Sequence, residues 1–108
     1  MKEPAEGMVV GFHDKRAGHT SIGLILACKG RSKVKAKVLM SVPLTVRWID
    51  RALIKEDIQY KGKPYPAKRF LGRVKGRCDL ARQTGEPPTA KVRKAIKDAR
   101  QLISQEGD

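Results

Sequence analysis

Between Lys33 and Val42 the chain alternates strictly, with Val34, Ala36, Val38, Met40 and Val42 on one side of an extended backbone and Lys33, Lys35, Lys37, Leu39 and Ser41 on the other. A period of two held this long is incompatible with a helix and requires a sheet with one dry face and one basic face. A strand rises about 3.3 Å per residue, so Lys33, Lys35 and Lys37 form a row roughly 6.6 Å apart, with Lys29 and Arg31 close behind. Lysines on the open face of an antiparallel sheet also serve as ordinary solvation and discourage edge-to-edge association. The meaning of the row therefore depends on the rest of the chain.

The residues before it supply its neighbours. Met8 to Phe12 is a short β-rich run, and His13 to Thr20 is a polar loop turning at Gly18. Ser21 to Cys28 is apolar on both faces, as expected of a central strand, and Lys29 to Ser32 is a hairpin turn with Gly30 available for positive φ. Pro43 to Tyr60 fits two periods. As a strand, Leu44, Val46 and Trp48 alternate with Thr45, Arg47 and Ile49; as a helix, Leu44, Trp48 and Ala52, or Val46, Ile49 and Leu53, recur at helical spacing behind Pro43. The strand reading is favoured and gives a five-stranded meander. Its sequence VRWIDRALIKEDI resembles the last strands of small SH3-like barrels, a fold that several nucleic-acid modules use. The helix reading resembles ribbon-helix-helix repressors, which implies a basic ribbon in the major groove and a homodimer as the binding unit.

Lys61 to Pro66 reads as a linker by its glycine and prolines. From Ala67 to about Gln83, behind Pro66, the residues Phe70, Leu71, Val74, Cys78 and Ala81 form an apolar stripe, while Lys68, Arg69, Arg73, Lys75, Arg77 and Arg82 take the remaining surface. Thr84 to Pro88 separates this helix from a second one, Thr89 to about Ser104. There Val92, Ala95, Ile96, Ala99, Leu102 and Ile103 repeat at helical spacing, and Arg93, Lys94, Lys97 and Arg100 turn outward. Gly72 and Gly76 each cost a helix about 1 kcal/mol relative to Ala. They mark a close approach by a helix or a phosphate, or else a break. The expected architecture is one α+β domain over residues 1–108: a small N-terminal antiparallel sheet or SH3-like barrel from Gly7 to about Tyr60, then a basic helical hairpin from Pro66 to about Gln105.

Charge points to the partner. Lys and Arg number 24 against 11 Asp and Glu, a formal +13. Residues 61–100 hold thirteen basic and three acidic residues, against eleven and six in residues 1–60. Surplus of this size makes a polyanion the default partner. The arginines of the first helix mostly lack an acid at helical spacing, and such like-charge crowding repels unless an external anion relieves it. Hydrophobic residues at 40% exclude a disordered basic tail. Cys28 and Cys78 form neither a CxxC pair nor a disulfide framework, so a reducing cytoplasm is expected. The longest apolar run, Ile22 to Cys28, has seven residues, well under the ~20 needed to span a bilayer.

Of the five aromatics, Trp48 and Phe70 are expected in the core, leaving Tyr60 and Tyr65, beside Lys61 and Lys63, as candidate base platforms. Backbone-directed binding to duplex DNA or structured RNA is favoured over single-strand readout. The expected contacts are Lys29, Arg31, Lys33, Lys35, Lys37, Lys68, Arg69, Arg73, Lys75, Arg77, Arg82, Arg93, Lys94 and Lys97, with no cofactor, metal or catalytic residue. Two other readings stay open. The same charges suit an adaptor docking on an acidic protein surface. His13 and His19, beside Lys15 and Arg16, suit the acid and base of a metal-independent ribonuclease. The early GMVVGF strand and its loop resemble MazF-type toxin ribonucleases, although the Arg-Pro step that follows that loop in the toxins is absent here.

Overall fold

A computed structural model describes residues 4–31 and 34–105. The elements follow in the order β1 (Val9–Asp14), β2 (His19–Lys29), β3 (Lys35–Ser41), β4 (Leu44–Asp50), a 3-10 turn (Arg51–Leu53), β5 (Ile54–Asp57), a ribbon of β6 (Gln59–Tyr60) and β7 (Lys63–Pro64), α1 (Ala67–Gln83) and α2 (Ala90–Gln105). The α+β class and the order of sheet before helices are as the sequence predicts. Residues 44–57 resolve as strands around a single short turn, so the helical reading of this segment and its ribbon-helix-helix resemblance fall away.

The five-stranded antiparallel sheet has the order β4-β3-β2-β1-β5. Laid flat, its edges β4 and β5 would stand about 19 Å apart, four gaps of roughly 4.8 Å. Asp50 and Ile54, at the adjoining ends of those strands, are joined by a link that reaches at most about 14 Å. The sheet must therefore roll. Register shifts between Gly11 and Phe12 and between Ile25 and Ala27 supply the local curvature. Ile49 and Ile54, from opposite edges, meet in one inner cluster with Val10, Phe12, Ile25, Ala36, Val38 and Met40. β4 and β5 are not hydrogen-bonded to each other, so the barrel stays open along that seam.

Gly23 sits inside this roll, where an added Cβ would meet Val38 Cβ at 3.1 Å and Phe12 Cε1 at 3.3 Å. The outer face carries a second cluster. Val9, Leu24, Leu26, Leu39 and Val46 pack against Phe70, Val74 and Cys78 of α1 and Val92, Ala95 and Ala99 of α2. The buried line of each helix is therefore spent on the sheet, while Leu71, Ile96 and Ile103 at the margin of the stripes are only half-buried. Thr89 caps α2, its Oγ1 accepting the Val92 amide at 3.3 Å. α1 runs unbroken through Gly72 and Gly76.

Candidate nucleic-acid interface

The lysine row of β3 lies on the outer face, since it shares parity with Leu39, which the helices cover. Its members have separate fates. Lys35 forms a cross-strand ion pair with Asp50, and Lys37 is half-buried opposite Trp48. Lys29 lies opposite Lys35 and places its Nζ 4.2 Å from the centroid of the Trp48 ring. Arg31 is exposed, and Lys33 lies outside the described residues. Trp48 is 39% exposed and takes no part in either core cluster. The expectation that it is core fails because its parity in β4 aligns it with Lys37 and Asp50 rather than with the inward-facing Ile49. The row is thus a mixed patch of Lys29, Lys37 and Trp48, with Lys35 already partnered.

The helices present a cleaner surface. Lys68, Arg69, Arg73, Lys75, Arg77 and Arg82 of α1 are all exposed, as are Lys91, Arg93, Lys94, Lys97 and Arg100 of α2. The buried line Phe70, Val74 and Cys78 leaves α1 with two cationic flanks. Arg69, Arg73 and Arg77 recur every four residues, a rise of about 6 Å each, along one flank. Lys68, Lys75 and Arg82 follow the other, toward α2. Asp79 binds Arg82 at 3.3 Å and Asp98 binds Lys94 at 3.3 Å; Arg93 donates to the Pro88 carbonyl at 2.7 Å. Among the described residues, no ion pair involves Lys68, Arg73, Lys75, Arg77 or Lys97.

Arg69 is held in place by an aromatic. Its guanidinium carbon is 4.4 Å from the centroid of Tyr60, Lys61 lies over the same ring at 5.3 Å, and Tyr65 meets it edge-on at 5.7 Å. Cations already occupy the ring that a base would stack on. Tyr60 orients Arg69, whose N–H donors remain available at the guanidinium edge.

The best-formed polar cluster escaped sequence reasoning. Asp14, at the end of β1, accepts from Arg47 Nη1 and Nη2, both at 3.0 Å, from Ser21 Oγ at 3.2 Å and from the amides of Arg16 and Ala17. The Arg47 hydrogen bonds hold its carboxyl far below the usual range, against the opposing effect of burial. Asp14 and Arg47 are 33 residues apart, so no local pattern announces the pair. The same hairpin separates the two histidines. His19 is paired with Asp14 and His13 with Thr20, which puts the imidazoles on opposite faces of the β1-β2 ladder. His19 Nδ1 sits 3.0 Å from the Thr20 carbonyl. The structure does not bring them together.

Among the described residues no three His, Cys, Asp or Glu side chains gather as a metal site would require, and no helix is long and apolar enough to cross a membrane. No known protein family, curated protein or solved structure matches this chain.

Proposed function

We propose that this protein binds nucleic acid through its phosphate backbone, using the outward cations of α1 and α2 as the principal surface and the Lys29, Arg31 and Lys37 patch as a secondary one. The observation that carries this reading is the unbalanced row Arg69, Arg73 and Arg77, exposed along one flank of α1 with no acid paired to it among the described residues. Folding brings these charges together at a Coulombic cost that a polyanion relieves. Side chains of this kind reach phosphates and fix orientation without reading bases. Duplex DNA and structured RNA are the expected ligands, because the tyrosine nearest the row is capped by cations.

The test is a salt series. With about six phosphates engaged on duplex DNA, the logarithm of affinity should fall against the logarithm of salt with a slope near −5. Arg73→Glu should weaken binding to unrelated sequences alike and reduce that slope by about one. Lys35→Glu should do less, since Asp50 already occupies Lys35. A slope near zero overturns the reading.

A further inference from the structure

A groove runs between α1 and α2 on the side of α1 away from the Arg69, Arg73 and Arg77 row. Its widest part has a volume of about 490 Å³, with half-buried Leu71, Ile96 and Ile103 as its floor and Lys68, Lys75 and Arg100 on its rim. Lys75, Ile96 and Arg100 also border a second hollow of about 250 Å³, where Arg82 and Arg93 join the rim. The two form one channel. Among the described residues Asp79 is the one acid lining it, and Arg82 neutralises it.

This chemistry differs from that of a phosphate surface. Phosphates need cations, and an apolar floor adds nothing to their binding while exposing hydrocarbon to water at about 25 cal/mol per Å². A floor of Leu and Ile between two cationic rims complements a ligand with an apolar stripe flanked by acids. The length matches as well. From Lys68 to Arg82 the channel follows α1 for about 21 Å, the length of a helix of roughly 14 residues.

We propose that the α1–α2 groove docks an acidic amphipathic helix of a partner protein. Leu-type residues of that helix, spaced at three and four, would lie over Leu71, Ile96 and Ile103, and its Glu or Asp flanks would meet Lys68, Lys75, Arg93 and Arg100. This does not depend on nucleic-acid binding by the Arg69, Arg73 and Arg77 row, the observation that carries that reading, because the row lies on the opposite flank of α1.

The probe is a fluorescein-labelled synthetic helix of about 14 residues with Leu on one stripe and Glu on both flanks, beside a scrambled peptide of identical composition. By anisotropy the ordered peptide should bind about tenfold or more tighter than the scramble, because only it can bury a stripe. The uncharged Ile103→Ser should remove that preference while oligonucleotide affinity stays unchanged. The exposed double variant Lys68→Glu with Lys75→Glu should weaken the peptide without touching the core. Arg73→Glu should do the reverse, weakening the oligonucleotide and sparing the peptide. Equal affinity for both peptides, indifference to both groove variants, or equimolar displacement of the peptide by duplex DNA would each overturn the proposal.

Discussion

Asp14 has a side chain only 1% exposed, and it is tolerated there because five donors surround it. Removing the main one should be costly. Arg47 is 16% exposed, so the pair lies between surface bridges worth under about 1 kcal/mol and buried ones whose rupture costs about 3–5 kcal/mol. Arg47→Met should therefore destabilise the fold by about 2–3 kcal/mol in urea unfolding. The pH dependence has a definite sign. Because the native carboxyl is held below the value of 3.8 it has when unfolded, its contribution is complete above that value and is lost as pH falls through the depressed native one. Stability of the wild type should fall below about pH 4, and Asp14→Asn should flatten that fall. Gly23→Ala, with Val38 Cβ 3.1 Å from the new methyl, should cost about 1–3 kcal/mol by overpacking the inner cluster.

At the scale of elements, α1 carries two glycines that its own fold does not require. A Cβ built at Gly72 or Gly76 finds nothing within 4 Å, and the helix is continuous across both. Gly76→Ala should raise stability by about 0.5–1 kcal/mol, read as a higher urea midpoint at unchanged m-value. The helices were legible because their signal is local. Phe70, Val74 and Cys78 repeat at the spacing of one helix face, and α1 ends at Gln83 as its stripe predicts. The inner face of β3 was legible for the same reason, through Ala36, Val38 and Met40. What the sequence could not announce is whatever joins distant strands. Lys35 and Asp50, Lys29 and Trp48, and Asp14 and Arg47 meet through register, and register follows from the roll of the whole sheet. The β6-β7 ribbon falls in a segment that reads as plain linker by its composition.

For the whole molecule, charge is distributed unevenly between layers. Residues 67–105 hold eleven Lys and Arg against three acids, whereas the sheet's four acids, Asp14, Asp50, Glu56 and Asp57, lie in β1, β4 and β5 and two of them engage cations of the sheet itself. Charge reversals in α1 should therefore change the salt slope more than reversals in β3, which a comparison of Arg77→Glu with Lys35→Glu by gel shift will show. The outer core is built half from strands and half from helices, so Val9, Leu24, Leu26, Leu39 and Val46 have no cover until residues 70–99 arrive. On the ribosome the sheet emerges first, with this oily side bare, and α1 and α2 follow. The layer that seals the interior is also the one bearing the arginines, so a nascent chain acquires its finished stability and the surface proposed to meet a polyanion in the same step. A product cut short before α1 would have neither.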